Sequence, residues 1–123
     1  MYTLDTNVLI YHFRGDTEAT KSLEYLLKNE NSFFISIITK IELFCYPEIT
    51  QKEITLFKDF LQNAVVIYLD NTIADFVTEI RKNYKLKLPD ATIAATAIYT
   101  NSTLITRNIK DFEKIKKLDI IKI

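Results

Sequence analysis

Three acidic residues stand where apolar runs of this chain end or turn amphipathic: Asp5 in Leu4-Asp5-Thr6-Asn7, Glu42 in Lys40-Ile41-Glu42-Leu43 and Asp90 in Leu88-Pro89-Asp90-Ala91. A carboxylate among apolar side chains is costly to bury unless something pairs with it. Two unpaired carboxylates about 4 Å apart repel by about 4 kcal/mol at an effective dielectric of about 20. A divalent cation turns that repulsion into affinity, and hard ions such as Mg²⁺ choose carboxylate and water oxygens over nitrogen or sulfur. An ion so held can activate water and stabilise charge on a phosphoryl oxygen, so phosphodiester hydrolysis is the chemistry that suits these residues. Each acid also has an ordinary explanation. Asp5 can be a helix N-cap, Glu42 a solvent-facing helical residue, and Asp90 beside Pro89 a complement to a helix dipole.

Whether the three acids meet depends on the elements that carry them. Tyr2 to Leu4 predicts a short strand ending in Asp5, and Val8, Leu9, Ile10 and Phe13 follow at helical spacing. Gly15-Asp16-Thr17 breaks the pattern, and Leu23, Leu26 and Leu27 give a helix from about Thr17 to Lys28. Phe33 to Ile35 predicts a strand, and Ser36 or Thr39 can cap the helix that carries Glu42 and stops before Pro47. Thr50 opens a further helix through Ile54, Phe57 and Leu61. Ala64 to Leu69 has the composition of a buried strand, and Asp70 or Asn71 caps a helix bearing Ile73, Phe76, Val77 and Ile80. A basic loop from Lys82 to Lys87 leads to Pro89-Asp90 and a helix rich in small residues, which predicts tight packing on a sheet. Thr103 to Ile105 predicts a strand, Asp111 to Lys116 a short helix and Ile120 to Ile123 a terminal strand.

Strands thus alternate with helices from end to end. The expected fold is an α/β/α three-layer sandwich around a central, mostly parallel sheet of about five short strands, joined by right-handed crossovers. Sites in such sheets lie at the carboxyl ends of the strands, where Asp5 and Asn108 fall.

Composition narrows the function classes. The 123 residues fit one domain over 1–123, and 48% hydrophobic with 26% charged residues is ordinary globular usage. No apolar run is long enough to span a bilayer, no secretory signal is expected, and the single cysteine, Cys45, fits a reducing cytosol. With one glycine, Gly15, there is neither a Walker loop nor a dinucleotide fingerprint. One histidine, His12, excludes a multi-histidine metal cage and reads as a surface or packing residue. The zero net charge hides an asymmetry: residues 1 to 80 carry twelve acids and six Lys/Arg, residues 81 to 123 four acids and ten Lys/Arg. Arg81, Lys82, Lys85, Lys87, Arg107, Lys110, Lys114, Lys116 and Lys117 would attract a polyanion if they share a face, and otherwise are a solvated surface.

The segments Tyr2 to Ile10, Ser36-Ile37-Ile38-Thr39 followed by Glu42, Pro89 to Ala97, and Thr106-Arg107-Asn108-Ile109-Lys110-Asp111-Phe112, in that order, resemble the PIN-domain ribonucleases. More narrowly they resemble the VapC-type toxins of toxin–antitoxin pairs. The resemblance implies a central parallel sheet, Mg²⁺ or Mn²⁺ dependence, RNA cleavage, a homodimer and inhibition by a cognate VapB-type antitoxin. It makes Asp5, Glu42 and Asp90 the acidic metal-site residues, with Asp5 and Asp90 as direct ligands. The fourth acidic position of the family falls on Asn108, whose amide oxygen can ligate but carries no charge. Asp111 is a candidate to compensate, although an Asp before Phe112 at a helix start reads first as a cap. Thr6 and Asn7 are expected to orient Asp5 by hydrogen bonds and Thr106 to act likewise near Asn108, with Arg107 and Lys110 as phosphate contacts. Phe13, Phe33, Phe44, Tyr46 and Phe57 are candidates for a groove that receives the antitoxin, or else core. The alternative function is a catalytically silent PIN module that binds RNA or a protein. A haloacid dehalogenase-type phosphatase would need a second Asp two residues after Asp5, where Asn7 stands.

Overall fold

The computed structural model describes all 123 residues. In chain order the elements are β1 (Tyr2–Leu4), α1 (Thr6–Phe13), α2 (Thr17–Leu27), β2 (Phe33–Ser36), α3 (Ile37–Cys45), α4 (Gln51–Phe60), β3 (Ala64–Ile67), α5 (Asn71–Asn83), α6 (Leu88–Tyr99), β4 (Thr103–Thr106), α7 (Ile109–Phe112) and β5 (Ile120–Lys122). All strand pairings are parallel, in the order β3-β2-β1-β4-β5. The chain builds outward from β1 to β3 on one side, then returns to place β4 and β5 on the other. The crevice between β1 and β4 is therefore the topological switch point, the place where open α/β sheets bind ligands.

Adjacent strand residues point to opposite faces, and the core divides accordingly. Leu4, Ile35 and Ile105 join Val8, Leu9, Leu43 and Phe57 under α1 to α4, whereas Leu104 joins Ile93, Ala94 and Ala97 under α5 and α6. Full burial of each large aliphatic side chain contributes about 1.5–3 kcal/mol. Helix α6 buries every residue from Ala91 to Ala97. Its alanines permit the close approach, and Thr92 and Thr96 satisfy their hydroxyls on the carbonyls of Leu88 and Thr92.

Caps follow the local rules. Asp16, Ser36 and Asp70 accept from backbone N–H groups at the starts of α2, α3 and α5, and Thr50 with Glu53 forms a capping box on α4. Gly15 has φ +88° in the turn between α1 and α2, a conformation that favours glycine. Of the core candidates, Phe33 and Phe57 are buried and Phe13, Phe44 and Tyr46 pack around them. His12 is half-buried, with Nδ1 2.9 Å from the Thr20 hydroxyl and its ring against Phe13 and Phe60. No helix is long and apolar enough to cross a membrane.

Two expectations are corrected. The run from Ala64 to Leu69 is not a buried strand: β3 ends at Ile67 and lies at the sheet edge, where Val65 is 42% exposed. An apolar run marks a strand, but its place in the sheet depends on pairing with distant residues. The helix expected from Asp111 to Lys116 instead spans Ile109–Phe112, because Asn108 caps it.

Candidate active site

Asp5 begins one residue past β1, at the C-terminal edge of the sheet, with its N–H bonded to the Ile105 carbonyl at 3.1 Å. It occupies the N-cap position of α1 but makes no capping hydrogen bond through its side chain. Its Oδ2 instead accepts the Thr106 hydroxyl at 2.7 Å across the β1/β4 crevice. Thr106 in turn accepts the Asn108 backbone N–H at 2.9 Å. Thr106 thus orients Asp5 and holds the strand-to-helix turn that follows β4.

The residues expected to steady Asp5 from its own side do otherwise. Thr6 donates to Glu42 Oε1 at 2.8 Å and lies 3.0 Å from the hydroxyl of buried Thr39. It therefore fixes Glu42, because the first turn of α1 packs against α3. Asn7 is exposed and has no hydrogen bond from its side chain, since α1 turns it away from the sheet.

Asp90 sits in the first turn of α6 behind Pro89, half-buried. Burial pushes the Asp5 carboxyl up to about 6, with Asp90 and Glu42 adding to the rise and the Thr106 hydrogen bond opposing it. Asp90 is also raised, first by burial and then by Asp111 and Glu42, with Lys87 acting against them. Asp5, Glu42, Asp90 and Asp111 therefore share one field of negative charge. No three acidic, histidine or cysteine side chains are grouped closely enough to form a ready-made metal cage.

Asn108 and Asp111 exchange the roles expected of them. Asn108 caps α7, its Oδ1 accepting from the Asp111 N–H at 3.4 Å, while its Nδ2 donates to Asp111 Oδ2 at 3.0 Å. Asp111 is not a cap but a carboxylate inside the helix, held by the Asn108 amide and acting on Asp90.

Arg107 also departs from expectation. Its Nη1 and Nη2 donate to Asp16 at 2.9 and 2.7 Å, Nε donates to the Ile123 carbonyl at 3.0 Å, and the guanidinium lies 4.4 Å from the centre of the Tyr11 ring. The guanidinium is a bracket between the start of α2 and the end of β4, and each of its nitrogens already donates to protein. Bidentate contact lowers the Asp16 carboxyl to about 2. Lys110 is exposed.

Sequence reasoning missed Asp16 and Tyr11, the partners of Arg107, and the part played by Thr39. No local signal marks a pairing between residues 91 apart.

This arrangement, a buried aspartate after the first strand of a parallel sheet with further acids around the switch point, can be set beside known proteins. A model of the PIN domain family matches residues 2–118. The chain belongs to the PIN-domain family. Ribonuclease VapC2 of Rickettsia felis is 32% identical to this PIN domain over 127 residues, covering 96% of this chain and 94% of the relative. A toxin–antitoxin complex from Klebsiella pneumoniae contains a chain that superposes on this PIN domain with a TM-score of 0.83 and 35% identity, covering 98% of this chain and 96% of that one. The structure of VapBC2 from Rickettsia felis bound to a promoter DNA fragment gives a TM-score of 0.80 at 28% identity, over 99% and 98% of the two chains. The five-stranded parallel sheet and its flanking helices are the PIN-like α/β fold.

Proposed function

We propose that this PIN domain is a Mg²⁺-dependent endoribonuclease and the toxin of a toxin–antitoxin pair. The observation that carries the reading is Asp5: a buried carboxylate at the switch point, raised to about 6, that shares its field with other acids. A buried carboxylate with no cationic partner is maintained against stability, which is characteristic of a site with work to do.

The donor set fits a hard cation, being all oxygen with several negative charges. Mg²⁺ is commonly held by one or two carboxylates and several waters. Asp5 and Asp90 would hold the ion, with Glu42 and Asp111 completing the acidic surround and Asn108 contributing through its hold on Asp111. When bound, the ion lowers the pKa of water and offsets charge developing on the phosphate. Thr106 keeps Asp5 aimed into the crevice. Thr6 fixes Glu42, leaving its second oxygen to accept a proton as a water oxygen bonds to phosphorus; the bond from phosphorus to the ribose oxygen breaks, and that oxygen takes its proton from solvent. Mn²⁺ satisfies the same donors.

The similarity to ribonuclease VapC2 and to the VapBC2 complex of Rickettsia felis supports ribonuclease activity and an antitoxin of the VapB type as partner. A homodimer acting in the cytoplasm completes the reading. The test is cleavage of RNA by wild type and Asp5→Ala with Mg²⁺, with Mn²⁺ and with EDTA. Cleavage is expected only from wild type with a divalent ion. Binding of RNA without turnover under any ion would favour a silent module instead.

A further inference from the structure

Beyond the acids, the second half of the chain holds a feature that the ribonuclease reading does not use. Residues 81–87 and 114–117 contain seven Lys/Arg and no acid. The fold brings these two segments together, because Asn83 and Tyr84 at the end of α5 line the same cleft as Ile115, Lys116 and Lys117 after α7. Of the sixteen Lys and Arg in the chain, only Arg14 and Arg107 pair with a carboxylate. Lys116 and Lys117, which line the cleft together with Glu79, are thus free to meet an outside anion, and Arg81 shapes the neighbouring loop by donating to the Leu86 carbonyl at 3.2 Å.

The cleft has a volume of about 330 Å³ and apolar walls from Phe76, Ile80, Tyr84, Ile98 and Ile115. Its rim is polar. Asn83 Nδ2 is engaged with the Glu79 backbone carbonyl at 2.9 Å, which leaves the amide oxygen available to accept. An apolar slot with an aromatic wall, a hydrogen-bonding rim and flanking lysines complements a flat base joined to phosphates. Both segments lead to the acids: Tyr84 precedes Asp90 by six residues and Asp111 precedes Lys116 by five. Six residues of chain span at most about 20 Å, so one strand of RNA can reach both places.

We propose that this cleft receives an unstacked base of the single-stranded RNA substrate, a few nucleotides from the cleaved phosphate. Tyr84 stacks on the base and Lys116 and Lys117 hold the neighbouring phosphates. Charge complementarity selects this occupant: Lys116 and Lys117 at the cleft, with the further Lys/Arg of residues 81–87 and Lys114 beside them in sequence, outnumber the one acid, Glu79, that lines it. The inference rests on the ribonuclease reading.

The test uses a fluorescein-labelled single-stranded oligoribonucleotide of mixed sequence and full-length protein carrying Asp5→Asn, so that binding is read without cleavage. Adding Tyr84→Ala is expected to weaken binding about tenfold. Adding Lys116→Ala and Lys117→Ala is expected to reduce the slope of log Kd against log salt by about 1.4, at about 0.7 per single-strand phosphate contact. An abasic scan along the oligonucleotide is expected to find one position costing about tenfold with Tyr84 present and nothing with Tyr84→Ala. The scan on protein with Tyr84 present decides even where Tyr84→Ala misfolds, because the change is then in the RNA: no sensitive position overturns the proposal. Cleavage of the same oligonucleotide by wild type in Mg²⁺ separates the two readings. Without cleavage or binding the ribonuclease reading fails and takes this one with it. With cleavage, but with affinity and salt slope unmoved by the substitutions, only the cleft proposal fails.

Discussion

Asp5 ties the chemistry of the site to its stability. Its folded-state pKa of about 6 lies above the ordinary 3.8, so the folded protein holds this proton more tightly than the unfolded chain. The stabilising contribution is complete below pH 3.8, is lost as pH rises to about 6 and stays lost above that. The difference of about 2 units corresponds to about 3 kcal/mol at most. Asp5→Asn keeps the acceptor for Thr106 without the charge. It is expected to raise the melting temperature of metal-free protein at pH 8, to change it little at pH 4 and to abolish cleavage. Thermal scans at the two pH values check this, and an Asn variant less stable at pH 8 would contradict it. Asp111 makes a second case at this scale. Since it raises Asp90 and is held by Asn108, Asp111→Asn is expected to lower kcat by about tenfold, the order of one positioned charge-assisted hydrogen bond. Single-turnover cleavage by Asp111→Asn and Asp111→Ala measures it, and unchanged rates would return Asp111 to a purely structural role.

At the scale of elements, the bracket from Arg107 to Asp16 holds the end of β4, which presents Thr106 to Asp5. Arg107→Ala is expected to lower kcat about tenfold with KM little changed, because the guanidinium positions the turn and its donors are already taken; loss of a supporting contact of this kind commonly costs that much. Asp16→Arg combined with Arg107→Asp should recover part of the loss. A rise in KM alone would show that Arg107 serves as a phosphate contact after all. Periodicity sufficed to find the strands and most helices, since local burial patterns decide them. It did not place β3 at the edge, because strand order depends on which distant strands pair. Nor did it show that Thr6 serves Glu42, that Asp5 forgoes its cap, or that Asn108 displaces Asp111 as the cap of α7. Each of those depends on partners across a crevice or on competition between neighbouring side chains.

For the whole molecule, a parallel sheet carries an acidic switch point at one edge, and a cleft bearing Lys116 and Lys117 lies between α5, α6 and the segment after α7. Mg²⁺ binding to the folded state alone should stabilise it by about 2.7 kcal/mol at a hundredfold excess over Kd. Asp5→Ala and Asp90→Ala should each remove that gain, which thermal scans with and without Mg²⁺ will read. The acids and the order of their elements were legible in sequence, as were the likeness to PIN domains and the basic residues of the second half; whether those cations share a face was not, because residues 81–87 and 114–117 meet only in the fold. The most direct measurement is the rate of RNA cleavage against Mg²⁺ concentration for wild type, Asp5→Asn and Asp90→Asn side by side. The account predicts a saturable rise for wild type, abolished by EDTA, and no comparable rise for either variant. Equal metal response in all three proteins, or cleavage that survives EDTA, would contradict it.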